Sequence, residues 1–186
     1  MPRWSEGFLY RWFYPIPDEM RLGFLAALSA ARDATSSSSL LEAQLKQFGK
    51  FLSLPRQQIN LLVEASYLRD IAVLRNPDAK ESSSARPASR YEPSASVTES
   101  VLGYREAGNI IRYLSERWDG RGPHGLVGRE IPSESRILRL MEFFVGELHI
   151  CGDAREALEA VKAEEGAFDP DLVSALERMI DENAAS

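Results

Sequence analysis

The chain is poor in the residues from which hydrolytic and metal-binding sites are built. Among 186 residues it holds two histidines, His124 and His149, and one cysteine, Cys151. A single cysteine excludes an internal disulfide framework and any multi-cysteine zinc or iron–sulfur site. Cys151 ends an apolar run with no basic neighbour, the setting of a small core hydrophobe rather than a reactive thiolate. Two histidines so placed support neither a Ser-His-Asp nor a Cys-His nucleophile arrangement. Long apolar runs are also lacking: charge interrupts each one before the ~18 residues a membrane span needs. No charged stretch leads into an apolar core and a small-residue cleavage site, so a secretory signal is not expected. The expectation is a cytoplasmic protein with no membrane partner. Basic excess is missing too. The net charge is −6, and residues 153–186 carry ten acids against three bases. A nucleic-acid polymer needs a basic face that neither part supplies, and the acidic tail reads as solvated helical faces.

What is present is helical periodicity. Hydrophobic residues make up 44% of the chain and charged residues 27%, near globular averages, so a sizeable core is expected. Apolar spacing predicts helices from Pro17 to about Ala34, over Leu40–Leu52 (Leu41, Leu45, Phe48, Leu52) and from Pro55 to Leu74. Thr35–Ser39 reads as a turn. Further helices are expected from about Val97 to Trp118, over Ser133–Ile150, from Asp153 to about Glu165, and from Asp169 onward. Asn76–Ser100 has seven serines and three prolines in 25 residues, a composition that reads as a mobile loop over most of its length, about 76–96. The segment Trp118–Pro132, with Gly120, Gly122, Pro123, Gly125 and Gly128, reads as a second loop. Six of the 17 aromatics fall within the first 14 residues, Trp4 and Trp12 among them. Such a cluster is expected to pack on the body or to anchor a partner, since aromatics are enriched in interface cores. The organisation read from this is an aromatic-rich segment at 1–17 and one helical domain at 18–183.

Four stretches, in order, resemble the HD-GYP domains, a bacterial family within the HD superfamily that hydrolyses cyclic di-GMP. "ERWDGRGPHGLVGREIPSESRIL" (116–138) is similar to the family's signature, in which two histidines precede Glu-Arg-Trp-Asp-Gly-x-Gly-Tyr-Pro. "EGAFDPDLVSAL" (165–176) matches its closing element. "YLRDIAVLRNP" (67–77) stands where the family has Leu-His-Asp-Ile-Gly-Lys, and "SAARDATSSSSLLEAQL" (29–45) resembles its opening element. The resemblance implies an all-α fold, a single HD-GYP-like bundle of about seven helices.

It also implies a site that this chain has lost. Active members hold two or three iron or similar ions through several His and Asp side chains, and those ions activate a bridging water for displacement at phosphorus. Here the histidine of the His-Asp pair is Arg69, followed by Asp70. The family's Gly and catalytic Lys are Ala72 and Val73. The paired histidines are Leu114 and Ser115, the opening histidine falls near Ser38 or Ser39, and the mid-domain histidine near Tyr91. The later metal-binding Asp is Glu142. Asp70 and Glu142 alone would leave a divalent ion mostly hydrated, whereas Arg69 can pair with Asp70 as a substitute for metal. Arg69, Asp70, Glu116 and Glu142 therefore mark a vestigial site with no catalytic residue, metal or cofactor.

The signature loop keeps Trp118, Asp119, Gly120 and Gly122 but loses the tyrosine before Pro123, with His124 following and expected to be exposed. In the family this loop serves partner docking as well as the site. The candidate partner surface is Trp4, Trp12, Trp118, Asp119, Gly120, Gly122, Pro123 and His124. The expected function is an inactive HD-GYP-like scaffold whose partner is a protein, such as a diguanylate cyclase or another signalling protein, or a second copy of the chain. The alternatives are an effector that binds cyclic di-GMP without cleaving it, through arginines such as Arg69, Arg117, Arg121 or Arg136, and a residual phosphodiesterase.

Overall fold

In a computed structural model of the chain, residues 37–74, 91–101 and 104–184 are described. The expectations for the aromatic N-terminus, the helix from Pro17 and the greater part of the Ser/Pro-rich segment lie outside them. Among the described residues there are seven α-helices and no strands: α1 (Ser37–Phe51), α2 (Arg56–Leu68), α3 (Glu92–Ser100), α4 (Arg105–Arg112), α5 (Ser133–Cys151), α6 (Ala154–Ala163) and α7 (Pro170–Ala184). Short 3₁₀ turns cover Ile71–Leu74 and Gly128–Glu130. None of these helices is long and apolar enough to cross a membrane.

The helices form where their apolar residues recur every three to four positions. In α1 the stripe Leu41, Leu45 and Phe48 is buried, with Leu52 beyond it packed half-buried against the same core. The hub is α5, whose Ile137, Leu138, Leu140, Met141, Phe144 and Val145 are buried, and α1, α2, α4, α6 and α7 all pack on it. Ile59, Leu62 and Val63 of α2 and Ile110 and Ile111 of α4 complete the centre.

Caps set several boundaries. The Asp153 carboxylate accepts hydrogen bonds from the amides of Arg155 and Glu156, both at 2.9 Å, and starts α6. Asp169 caps α7 through the Asp171 amide at 3.0 Å. Gly152 ends α5 in the left-handed region at φ 74°.

The sequence reading needs four corrections. Ser37–Ser39 belong to α1 and not to a turn; serine suits a first helical turn, where it competes least with the backbone ladder. The third predicted helix ends at Leu68, and Ile71–Leu74 is a 3₁₀ turn. Residues 92–96 are helical in α3, where Ser94 and Ala95 are buried, so they are no part of a loop. The helix expected over Val97–Trp118 is divided, because Val101 turns extended at ψ 125° and the chain folds back, and its second part, α4, ends at Arg112, short of Trp118. Gly108 permits that return: a Cβ there would lie 2.9 Å from the Glu99 amide nitrogen and 3.1 Å from the Ala95 carbonyl oxygen, so α4 closes on α3 only without one.

Candidate functional site

Three chain segments converge where the vestigial site was expected. Arg69 and Asp70 follow the last residue of α2, Tyr91 precedes the first turn of α3, and Glu142 projects from the middle of α5. The Arg69 Nε donates to Glu142 Oε1 at 3.1 Å and stands 3.6 Å from Asp70 Oδ2. Its terminal nitrogen also donates to the Ser66 carbonyl, one turn back. Tyr91 donates its hydroxyl to Glu142, 2.9 Å from Oε1 and 3.0 Å from Oε2. The three charged side chains are mostly enclosed, at 11%, 16% and 22% exposure for Arg69, Asp70 and Glu142. The guanidinium is thus the ion that both carboxylates face, and Glu142 is a closer partner to it than the expected Asp70.

This donor set does not suit a divalent cation. A hard ion needs its oxygen ligands within roughly 2.0–2.6 Å, in the volume that Arg69 Nε takes between Asp70 and Glu142. No group of three or more His, Cys, Asp or Glu among the described residues is placed to hold a metal. One helical turn before Glu142, Arg139 adds a second cation. Burial pushes its guanidinium below the usual arginine range, while the nearby Glu142 charge opposes that shift. Its planar group lies 5.8 Å from the Phe168 ring centroid, and one terminal nitrogen reaches the Leu114 carbonyl at 3.4 Å. Sequence reasoning passed over Arg139, although its position three residues before Glu142 places it on the same face of α5.

Glu116 does not join this cluster. Only 2% exposed, it turns its carboxylate into the signature loop and accepts from the amides of His124 at 2.7 Å and Leu126 at 3.0 Å. It also meets His124 Nδ1 at 3.1 Å. Gly122 lies against it so closely that a Cβ would sit 2.7 Å from Glu116 Oε2. His124 is exposed as expected, yet its ring is placed, edge-on to Tyr113 with centroids 5.2 Å apart.

The retained motif residues latch the loop to the turn before α7. The Trp118 amide donates to the Ala167 carbonyl at 3.2 Å and the Asp119 amide to the Gly166 carbonyl at 3.0 Å. Arg117 reaches the Glu165 carbonyl at 2.7 Å and pairs with Asp119 at 3.0 Å. That hydrogen bond holds the Asp119 carboxyl below the usual carboxylate range. Asp119 and Val127 close the loop's base as an isolated antiparallel bridge. Arg136 forms an ion pair with the buried Asp169 and lies 5.6 Å from the centroid of the half-buried Trp118 ring. Asp169 therefore caps α7 with one oxygen and holds Arg136 with the other; the sequence reading found only the first role. Of the candidate partner residues, Trp118 and Asp119 are engaged inside the chain, Pro123 and His124 face solvent, Gly120 and Gly122 line the loop's inner side, and Trp4 and Trp12 lie outside the described residues. Cys151 is half-buried at the end of α5, its Sγ 3.2 Å from the Asp153 carbonyl.

A family model for the HD domain matches residues 25–172. No curated protein matches the chain.

Proposed function

The chain belongs to the HD domain family, and from that premise we propose that it is a catalytically inactive, HD-GYP-like member that works by contact, as a protein-interaction or regulatory scaffold in bacterial signalling tied to cyclic di-GMP. The observation that carries this reading is the Arg69 guanidinium, 3.1 Å from Glu142 and 3.6 Å from Asp70, at the position where the resemblance to HD-GYP domains would put a metal-ligating histidine. Unaided phosphodiester hydrolysis is so slow that forfeiting metal activation of water removes most of the acceleration. Neither Arg69 nor Tyr91 can supply a metal-activated nucleophile. The partner is a protein, a diguanylate cyclase or another signalling protein, or a second copy of the chain.

The rival reading, a non-hydrolysing effector, asks arginines to receive phosphate. Arg69, Arg117 and Arg136 are turned toward carboxylates of their own chain, Glu142, Asp119 and Asp169. A dinucleotide would have to displace those carboxylates at three of the four arginines, with only Arg121 exposed, 3.9 Å from Asp119, which favours the scaffold. Calorimetric titration with cyclic di-GMP separates the two. The scaffold gives no saturable heat; stoichiometric binding in the micromolar range or tighter would transfer the protein to the effector class.

A further inference from the structure

We propose that the Arg69 guanidinium is the resident cation of this site, an internal ion that fixes α2, α3 and α5 to one another and keeps a free divalent metal out. This deepens the reading of the site given above and rests on it only for the comparison with metal-bearing relatives. Its own support is geometric. Asp70 and Glu142 come from different elements, and two carboxylates enclosed together repel unless a cation stands between them. Arg69 Nε is within 3.1 Å of one and 3.6 Å of the other. Glu142 also accepts the Tyr91 hydroxyl, which lies within 3.0 Å of both its oxygens, and the Arg69 terminal nitrogen is held by the Ser66 carbonyl near the end of α2.

Each member of the cluster therefore restrains another. Glu142 is anchored in the central helix, Tyr91 brings in the start of α3, and Arg69 ties both to the end of α2. A bound metal would do the same job by coordination, but reversibly and only at sufficient ion concentration. A covalently attached cation is always present. The helices are then in register without a cofactor, and neither chelation nor metal supply alters their arrangement. That property suits a domain whose surface is its function.

A mutant cycle tests this, with Arg69→Met, which keeps the length and removes the charge, Glu142→Gln, and the double substitution, followed by thermal unfolding. Arg69→Met leaves Asp70 and Glu142 without the cation between them and is expected to lower the midpoint by about 5–10 °C, whereas Glu142→Gln leaves Arg69 with Asp70 alone and is expected to lower it by less. The double change removes both members of the closer pair, leaving only the Asp70 carboxylate, and is expected to lower the midpoint by less than the sum of the single effects. Should the Arg69→Met chain prove too unstable to purify, the double variant and Glu142→Gln alone decide, since the double must then be the more stable than Arg69→Met. Manganese supplies the second arm. Wild-type protein is expected to show no midpoint change in millimolar manganese, whereas Arg69→His, which clears the volume between Asp70 and Glu142 and adds an imidazole, is expected to gain a saturable upward shift. Additive single effects, or a saturable manganese shift in the wild type, would overturn the resident cation. Turnover of cyclic di-GMP would instead overturn the functional reading and leave the outcome of the cycle unaltered, so the two failures are distinguishable.

Discussion

Glu116 is the residue whose removal should cost most for its position in a loop. Its carboxylate is enclosed at 2% exposure and gathers two backbone amides and a ring nitrogen, from His124 and Leu126, at 2.7–3.1 Å. A hydrogen bond to a charged group contributes about 1.5–3 kcal/mol. Simple addition overshoots, because His124 and Gly125 are exposed and water would reach the loop once the carboxylate is gone. Glu116→Ala is therefore expected to lose about 3 kcal/mol, or about 6–12 °C in thermal midpoint for a domain of this size. Glu116→Gln keeps the volume against Gly122 but presents an amide nitrogen to one of the donors, so about half of that loss is expected. Urea and thermal unfolding followed by circular dichroism give the energies, and amide hydrogen exchange at His124 and Leu126 gives the location. A loss under about 1 kcal/mol in Glu116→Ala, with exchange at those two amides unchanged, would refute the assignment of Glu116 as the organiser of the loop.

Two glycine substitutions should have opposite signs. Gly166→Ala combines φ +67° with a Cβ 2.6 Å from Asp119 Oδ2 and is expected to destabilise by about 1–3 kcal/mol, whereas Gly146→Ala, exposed inside α5 with open space around its Cβ, should stabilise by about 0.5–1 kcal/mol in the same unfolding assay. Removing the α6 cap with Asp153→Ala should cost about 1 kcal/mol, read as a drop in urea midpoint at unchanged slope. Acid sensitivity follows from carboxyls held below their ordinary values, among them Asp119 (3.8) and Glu42 (4.5). Arg117 depresses the first; for the second, burial opposes the charge but hydrogen bonds from Lys46 and Tyr67 outweigh it. A depressed folded value means the contribution is complete above the unfolded value and is lost as pH falls through the folded one. Thermal midpoints should therefore hold above about pH 5 and decline below it, less steeply in Asp119→Asn.

The helices were legible because burial follows a repeat of three to four residues, and the stripes through Leu41, Leu45 and Phe48 and through Ile137, Met141 and Phe144 are both buried. Caps were legible where a carboxylate precedes the first turn, as at Asp153 and Asp169. The break at Val101 was not, because periodicity continues across it and the return of α4 onto α3 depends on a long-range contact at Gly108. The site was half legible. The replacement of an expected histidine by Arg69 stood in the chain itself, but the preference of Arg69 for Glu142 over its neighbour Asp70 arises from where α5 passes, 73 residues away. Tyr91 could be placed only loosely, because the Ser/Pro-rich stretch ahead of it carries no periodicity to fix its register. Glu116 was grouped with the vestigial site by motif alone; the fold turns its carboxylate toward the amides of its own loop.

The central claim, that the chain acts without turnover, is tested most directly by incubating the purified protein with cyclic di-GMP under anaerobic conditions with added iron(II) or manganese(II) and resolving the products chromatographically. The expected result is intact cyclic dinucleotide with either ion, at the level of a protein-free control. Linear dinucleotide or mononucleotide accumulating in proportion to protein and time would contradict it.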